Sequence, residues 1–281
     1  MLSKRRFIGI ASASLVLGIG LWMSLYFTAA PTARPGDMPN ARIDQVAPHT
    51  IVSPRPLAQA ADLTGSVRRL IDAANQGDAQ SAYQASVLLE QCWIVDFMAG
   101  PSTDRTENAE VSATQTDFTR QQSALRAQCK NIPAAIRADR FRLVHIAAQA
   151  HIPGAANAFA RIGPPAGVDA LQTQPDDPGV STWKQEAENF LKEAASSGDL
   201  ESMNALSSSY QMGLYTQRDP LAALTYAYAY ARRQQMLNDS PISPGYARLL
   251  DTLSRGLSAE QQRLAQERGS TIAAASPLPR P

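Results

Sequence analysis

The segment that decides the fold is residues 194–220, AASSGDLESMNALSSSYQMGLYTQRDP. Between positions 200 and 212 its apolar residues recur every three or four places, which is the period of an α-helix. Gly198 and Gly213 are suited to ending helices, and Asp219-Pro220 is a typical helix start. The segment therefore predicts one complete helix between two short turns, with a further helix on each side.

The helix on the amino-terminal side is expected to begin at Ser181. Thr182 and Gln185 fit the spacing of a capping box, and the apolar residues from Trp183 to Ala194 follow at helical spacing. The helix after Pro220 continues the pattern. Short connections between these helices predict a helix-turn-helix array.

Internal similarity extends this array toward the amino terminus. Residues 73–78, AANQGD, align with residues 194–199, AASSGD, at two predicted helix ends. Residues 147–151, AAQAH, fall in the same register without the glycine. One helical hairpin buries little apolar surface alone, so repeated hairpins are expected to stack on each other.

The best copy resembles a known family, the Sel-one-like repeat, which is a relative of the tetratricopeptide repeat. The residues that carry the resemblance are Ala194 to Asp199, Leu206, Tyr210, Gly213, Asp219, Ala223, Tyr226 and Ala231. The resemblance implies stacked helical hairpins that form an adaptor or scaffold surface, and it supplies no catalytic residues.

The rest of the chain shows no sustained alternation of period two, so we expect an all-α domain over residues 61–269. A polar insert at 100–113 and a break rich in Pro, Gly and Asp at 163–179 interrupt it, and one of the helices between them is predicted over 134–150. Residues 270–281 contain three prolines and are predicted to form a disordered tail.

The amino terminus predicts a membrane anchor. A basic cytoplasmic start, residues 1–6 with Lys4, Arg5 and Arg6, precedes the uncharged residues 7–30, whose first 21 residues would extend about 31 Å as a helix. The flanking cations predict that the chain after residue 30 lies outside the cytoplasm. The alternative is a cleaved signal peptide, although Pro31 is a poor residue after the cut.

A proline-rich tether is predicted at residues 31–60, because this composition favours extended conformers and supplies no core. The whole chain has a formal charge of +1. Basic and acidic residues are thus nearly equal in number, and a chain without a strong excess of basic residues is not expected to bind nucleic acid.

The two cysteines, Cys92 and Cys129, flank the polar insert and lie in the region predicted to be extracytoplasmic. A disulfide is the expected use of the pair in an oxidising compartment, and its loop would stabilise the fold by roughly 4 kcal/mol. Two separate buried thiols and a redox pair are the alternatives, the latter disfavoured because no Cys-x-x-Cys spacing is present.

No catalytic or metal-binding constellation is evident. His145 and His151 are six residues apart, unlike the i, i+4 pair that chelates zinc on a helix. Glu188 and Lys192 have the spacing of a solvated ion pair, and Ser207 to Ser209 lack a nucleophile elbow. We therefore predict no cofactor.

Tyr226 and Tyr230, with Arg232 and Arg233 beyond them, form the candidate partner-binding edge. Tyrosines at 226, 228 and 230 have period two, so on a helix at least one is expected to be exposed, and Tyr and Arg are frequent interface anchors. The alternative is packing against a neighbouring repeat.

These observations predict a single-pass protein of the bacterial inner membrane with a periplasmic helical-repeat domain. The domain is expected to bind a protein or peptide without catalysis. The alternatives are an all-α envelope enzyme such as a cell-wall hydrolase and a structural subunit of a secretion or pilus complex.

Overall fold

The computed structural model describes residues 62–99 and 113–275, and this part of the chain is all helical with no β-strand. The all-α prediction is therefore confirmed. The helices are α1 (Leu63–Asn75), α2 (Ala79–Ala99), α3 (Ala113–Lys130), α4 (Ala134–Ala138), α5 (Arg140–Gln149), α6 (Ala155–Ile162), α7 (Ala170–Thr173), α8 (Pro178–Ser196), α9 (Leu200–Met212), α10 (Pro220–Asn238), α11 (Pro244–Ser254) and α12 (Ala259–Ala275).

Several predicted segments lie outside the described residues. They are the basic start 1–6, the membrane helix 7–30, the tether 31–60, residues 100–112 of the insert and residues 276–281 of the tail. Among the helices of 62–99 and 113–275, none combines the length and the apolar character needed to cross a bilayer.

Helices that follow one another in the chain mostly pack against each other. α1 contacts α2, α2 contacts α5, and the contacts then run through α6, α8 and α9 to α10. α12 departs from this order, because its main partner is α10, and this is the most extensive helix pair in the described chain.

The three similar segments end their helices in the same geometry. Gly77 and Gly198 have φ values of +97° and +89°, and His151 has the left-handed φ of +54° at the equivalent position. In each case the next residue donates its N–H to the carbonyl five residues back, as Asp78 to Ala73, Asp199 to Ala194 and Ile152 to Ala147. This is the Schellman motif, which occupies helix-end carbonyls otherwise left without partners.

Aspartates begin several of these helices. Asp199 caps α9 by accepting from the N–H of Ser202, and Asp78 accepts from the N–H of Ser81 at the start of α2.

The predicted start of α8 at Ser181 is wrong. Asp177 is the cap instead, with its carboxylate on the N–H groups of Gly179 and Val180 and a proline at the first position.

Three other predicted boundaries also differ. The break at 163–179 contains α7 and ends at Asp177, where α8 begins. The tail predicted from Ser270 is wrong for residues 270–275, because α12 continues to Ala275 and packs against α10. The helix predicted over 134–150 is divided at Asp139, whose carboxylate accepts from Arg142 while its N–H bonds back three residues.

The buried apolar side chains form two clusters. The first contains Leu63, Val67, Ala74, Ala82, Ala85, Leu89, Cys92, Cys129, Ile132 and Leu143. The second runs from α5 to α12, and its large buried side chains include Val144, Phe159, Trp183, Leu191, Met203, Leu206 and Leu224.

Gly269 lies at the closest approach of α12 to α10. A Cβ atom at this position would lie 2.7 Å from the carbonyl oxygen of Thr225 and 2.9 Å from the nitrogen of Ala229. Both contacts are with backbone atoms, so no side-chain rotation relieves them. A glycine is therefore needed for α12 to pack at this depth.

Candidate binding groove

A groove of about 430 Å³ lies between α9, the first half of α10 and α12. Its lining residues are Tyr210, Asp219, Leu221, Ala222, Thr225, Tyr226, Arg268, Thr271 and Ile272. Aromatic and aliphatic side chains thus form most of its walls, with one carboxylate and one guanidinium among them.

Two stacked tyrosines form one side of the groove. The ring centroids of Tyr210 and Tyr226 are 5.9 Å apart, and the ring planes differ by 8°. The hydroxyl of Tyr210 donates a hydrogen bond of 2.6 Å to Glu188 of α8. A charge-assisted hydrogen bond to α8 therefore holds the Tyr210 ring in place in the stack.

This contact changes the acidity of both partners. Burial, followed by the hydrogen bond to Glu188 and its negative charge, raises the pKa of Tyr210 far above its usual range. Burial of Glu188 opposes ionisation, but hydrogen bonds from Lys192 and Tyr210 outweigh it and lower the pKa of that carboxyl. The pair is therefore a neutral phenol bound to a carboxylate at neutral pH.

The turn before α10 fixes the end of the groove. Gly213 ends α9 with a φ of +73°, and the N–H of Asp219 donates to the carbonyl of Tyr210 at 3.0 Å. The carboxylate of Asp219 then accepts from the N–H of Ala222 and caps α10. These bonds place Tyr210 and Tyr226 side by side, because the chain folds back directly between them.

The predicted binding residues do not form one surface. Tyr226 lies in the groove, whereas Tyr230 stacks on Tyr246 of α11 with a centroid distance of 4.8 Å. Arg232 is exposed. Tyr226, Tyr228 and Tyr230 are each partly buried, so none of the three faces the core completely and none is fully exposed.

Arg233 is buried, unlike its neighbour Arg232. It is only 4% exposed, and its Nη1 donates to the carbonyl of Ala273 at 3.3 Å. That carbonyl lies in the last turn of α12, where helix carbonyls lack partners within the helix and a cation is favoured. Arg233 therefore joins α10 to the end of α12.

The sequence did not reveal the wall that α12 contributes. Thr271 and Ile272 belong to the segment predicted to be a disordered tail, and Arg268 lies just before it in the predicted domain. The available signal was the spacing of Ala265, Gly269 and Ala273, which are small residues at intervals of four and are all buried. Such spacing indicates a helix face in close contact with another helix.

The cysteine prediction is confirmed. The sulfur atoms of Cys92 and Cys129 are 2.03 Å apart, and the Cα atoms are 5.4 Å apart. Both residues are fully buried in the first cluster. The bond ties the end of α3 to α2 within that core.

A second cleft of about 400 Å³ lies between α2, α4, α5 and the turn after α6. Trp93, Asp96, Arg137 and Arg140 line it, together with a proline pair at 164–165. The cations are paired: Arg137 lies 3.0 Å from Asp96, and Arg140 lies 2.6 Å from Glu90. Glu90, a largely buried carboxylate, is therefore already bound by an arginine.

The two histidines of α5 and its end each face a glutamate of α8. His145 Nε2 lies 3.3 Å from Glu186, and His151 Nδ1 lies 3.4 Å from Glu193. Local sequence pattern does not indicate these pairs, because each joins positions about 40 residues apart in the chain. No group of three metal-ligating side chains occurs in the part of the chain that the structure describes.

Comparisons of the chain with protein-family models, with curated proteins and with solved structures give no match. The proposals that follow are therefore argued from the residues of this chain.

Proposed function

We propose that this chain is a membrane-tethered protein of the bacterial envelope whose helical domain binds another protein or peptide without catalysis. The observation that carries the proposal is the groove between α9, α10 and α12. Its volume of about 430 Å³ is within the range of ligand clefts, and its walls are mainly apolar and aromatic.

The groove suits an apolar side chain of a partner. Leu221 and Ile272 offer aliphatic surface on opposite helices, and the Tyr210–Tyr226 stack offers a rigid aromatic wall. Rigid aromatic side chains lose little conformational entropy on binding and are frequent hot spots of interfaces. Asp219 and Arg268 at the rim provide polar contacts that would orient the partner.

The repeat architecture is part of the proposal. Sequential packing from α8 to α10 and the recurring Gly-Asp helix junctions support stacked hairpins of the Sel-one-like type. In such an array, a surface between neighbouring helices is the usual place for a bound segment.

The location of the protein rests on the amino-terminal sequence. We propose that residues 7–30 anchor the chain in the inner membrane, that 31–60 tether the domain and that the domain lies in the periplasm. A cleaved signal peptide is the alternative. Extraction at high salt and alkaline pH tests this: an anchor keeps the full chain in the membrane fraction, whereas cleavage releases a chain that begins near residue 31.

Site-specific crosslinking tests the groove. A photoreactive phenylalanine analogue replaces Thr271, an exposed groove residue, and in a control chain replaces Gln266, an exposed residue on another side of α12. We expect a discrete partner adduct from position 271 only, and its loss when Tyr226→Ala is added. Equal adducts from both positions, or an adduct insensitive to Tyr226→Ala, would place the binding surface elsewhere.

A further inference from the structure

An exposed apolar patch lies on the last turns of α2, far in sequence from the groove. Trp93, Ile94 and Phe97 are 44%, 36% and 60% exposed. They are three of the seven large apolar side chains that are exposed among the described residues. Because the neighbours in sequence on α2 are buried against the first core, this end of the helix turns an apolar surface outward.

The patch is held in one conformation. The rings of Trp93 and Phe97 stack with centroids 5.3 Å apart and planes 14° apart. The guanidinium of Arg140 lies 4.9 Å from the centre of the Trp93 ring, and Glu90 fixes that guanidinium at 2.6 Å. Cys92, the residue before Trp93, is anchored in the core by its disulfide.

Two arginines share one carboxylate beside the patch. Arg126 and Arg137 share one carboxylate, that of Asp96, at 4.0 Å and 3.0 Å, and all three side chains are more than a third exposed. Lys130 is exposed directly after Cys129. The Arg140–Glu90 pair is neutral, so among these ion pairs of α2 the two arginines on Asp96 leave one positive charge in excess.

We infer that the patch of Trp93, Ile94 and Phe97 docks on the surface of an anionic lipid bilayer. Aromatic side chains, Trp above all, are favoured at the boundary between headgroups and acyl chains. Arg126, Arg137 and Lys130 would face lipid phosphates. The proposed anchor at 7–30 would be the first attachment of the chain to the membrane, and the patch would be the second. Two attachments together would orient the domain on the membrane surface.

The inference rests on the proposed tether. An extended proline-rich segment of the length of 31–60 reaches about 90 Å at most, so the proposed tether keeps α1 and α2 within that distance of the membrane. The patch lies in the first helical hairpin after that segment. Docking there would leave the groove of α9, α10 and α12 available for its partner.

Depth-dependent quenching of tryptophan fluorescence tests the inference on the full chain. The chain has three tryptophans, of which Trp22 lies in the predicted anchor and Trp183 is only 1% exposed. In a Trp22→Phe chain, the emission of Trp93 is measured over a background obtained from Trp22→Phe/Trp93→Phe. The vesicles contain phosphatidylcholine alone or mixed with phosphatidylglycerol, with bromine on the acyl chains as quencher.

We expect the mixed vesicles to quench most of the Trp93 emission and to protect it from aqueous acrylamide. Arg126→Gln/Arg137→Gln should abolish the difference between the two lipid compositions. As a matched control, Leu214→Trp in the Trp22→Phe/Trp93→Phe chain places a reporter at another exposed apolar position, where bromine should have no effect.

Failure of the patch and failure of the tether are distinguishable. A chain that stays with the vesicles while Trp93 remains open to acrylamide and insensitive to bromine overturns the lipid contact alone. Quenching that is equal at positions 93 and 214 also overturns it. A chain that does not stay with the vesicles overturns the tether and this inference together.

Discussion

The ring of Tyr226 stacks on the ring of Tyr210, and the hydroxyl of Tyr210 donates a hydrogen bond to Glu188 on the preceding helix, α8. Three helices, α8, α9 and α10, are thus joined through one aromatic pair. Because this pair forms a wall of the groove, the stability of the fold and the shape of the groove depend on the same contact.

Tyr210→Phe is expected to keep the stack and lose the bond to Glu188. A hydrogen bond to a charged group contributes about 2 kcal/mol, so the free energy of unfolding at pH 7 should fall by about that amount. Denaturant titration measures the change. Tyr226→Phe, which retains the Tyr210–Glu188 bond, is the control and should have little effect.

The same contact predicts a dependence on pH. The pKa of Glu188 is lowered in the folded protein, so its contribution is complete above the pKa of the unfolded carboxyl, about 4.3, and is lost as pH falls through the lowered value. The loss of stability between neutral and acid pH should therefore be smaller in Tyr210→Phe. Parallel acid dependence in the two proteins would contradict this assignment.

Gly269→Ala is expected to force α12 away from α10, because its new Cβ would meet backbone atoms at 2.7 and 2.9 Å. Overpacking of this kind costs about 2 kcal/mol, more than the gain in helix propensity of about 1 kcal/mol. Thermal unfolding measures the difference. The control is Gly245→Ala, whose Cβ meets nothing within 4 Å and should cause no loss of stability.

His151→Gly is expected to stabilise the protein by about 1 kcal/mol, since a non-glycine residue with left-handed φ is strained. The lost contact with Glu193 is more than half exposed on both sides and contributes little. Gly77→Ala should destabilise the protein, because alanine is strained at the positive φ of this position. Its Cβ would meet nothing within 4 Å, so the strained backbone conformation is the whole of the expected effect. Equal effects of the same sign would show that the two helix ends are not equivalent.

Arg233→Ala should destabilise the domain by about 3 kcal/mol, because it removes a buried side chain and the bond to Ala273. Its exposed neighbour offers a matched comparison, and Arg232→Ala should change stability by less than about 0.5 kcal/mol. Melting curves of the two variants decide this. A melting temperature that Arg233→Ala leaves unchanged would contradict this structural role of Arg233.

The Cys92–Cys129 bond is expected to stabilise the domain by about 4 kcal/mol, given a sequence separation of 37 residues. Cys92→Ser/Cys129→Ser should lower the melting temperature accordingly. Because both sulfur atoms are buried, the native protein should resist alkylation until it is unfolded and reduced. Peptide mapping without reductant checks the linkage, and two thiols that alkylate in the native protein would refute it.

Local sequence predicted the parts of this fold that depend on local interactions. Helix periodicity, the ends at Gly77 and Gly198 and the start at Asp219-Pro220 all involve residues within about five positions of each other. The start of α8 was misassigned because two valid cap signals, Asp177-Pro178 and Thr182, occur within six residues. Only the first places a proline at the helix start.

Contacts between residues far apart in the chain could not be predicted from the local sequence pattern. The three tyrosines of α10 look alike in sequence, yet Tyr226 packs on Tyr210, Tyr228 on Gly269 and Tyr230 on Tyr246. Which neighbour each meets depends on where α9, α11 and α12 lie around α10. For the same reason, Arg232 and Arg233, adjacent in sequence, have opposite environments.

The wall that α12 gives to the groove links recognition to the assembly of the domain. A chain still emerging from the ribosome has Tyr210 and Tyr226 well before Ile272, so the groove forms only when α12 has been made and has docked. A partner that fills the groove holds α10 and α12 together and shifts the equilibrium toward the docked helix. Amide protons of residues 265–273 should then exchange more slowly when the partner is bound, which makes this helix a reporter of occupancy.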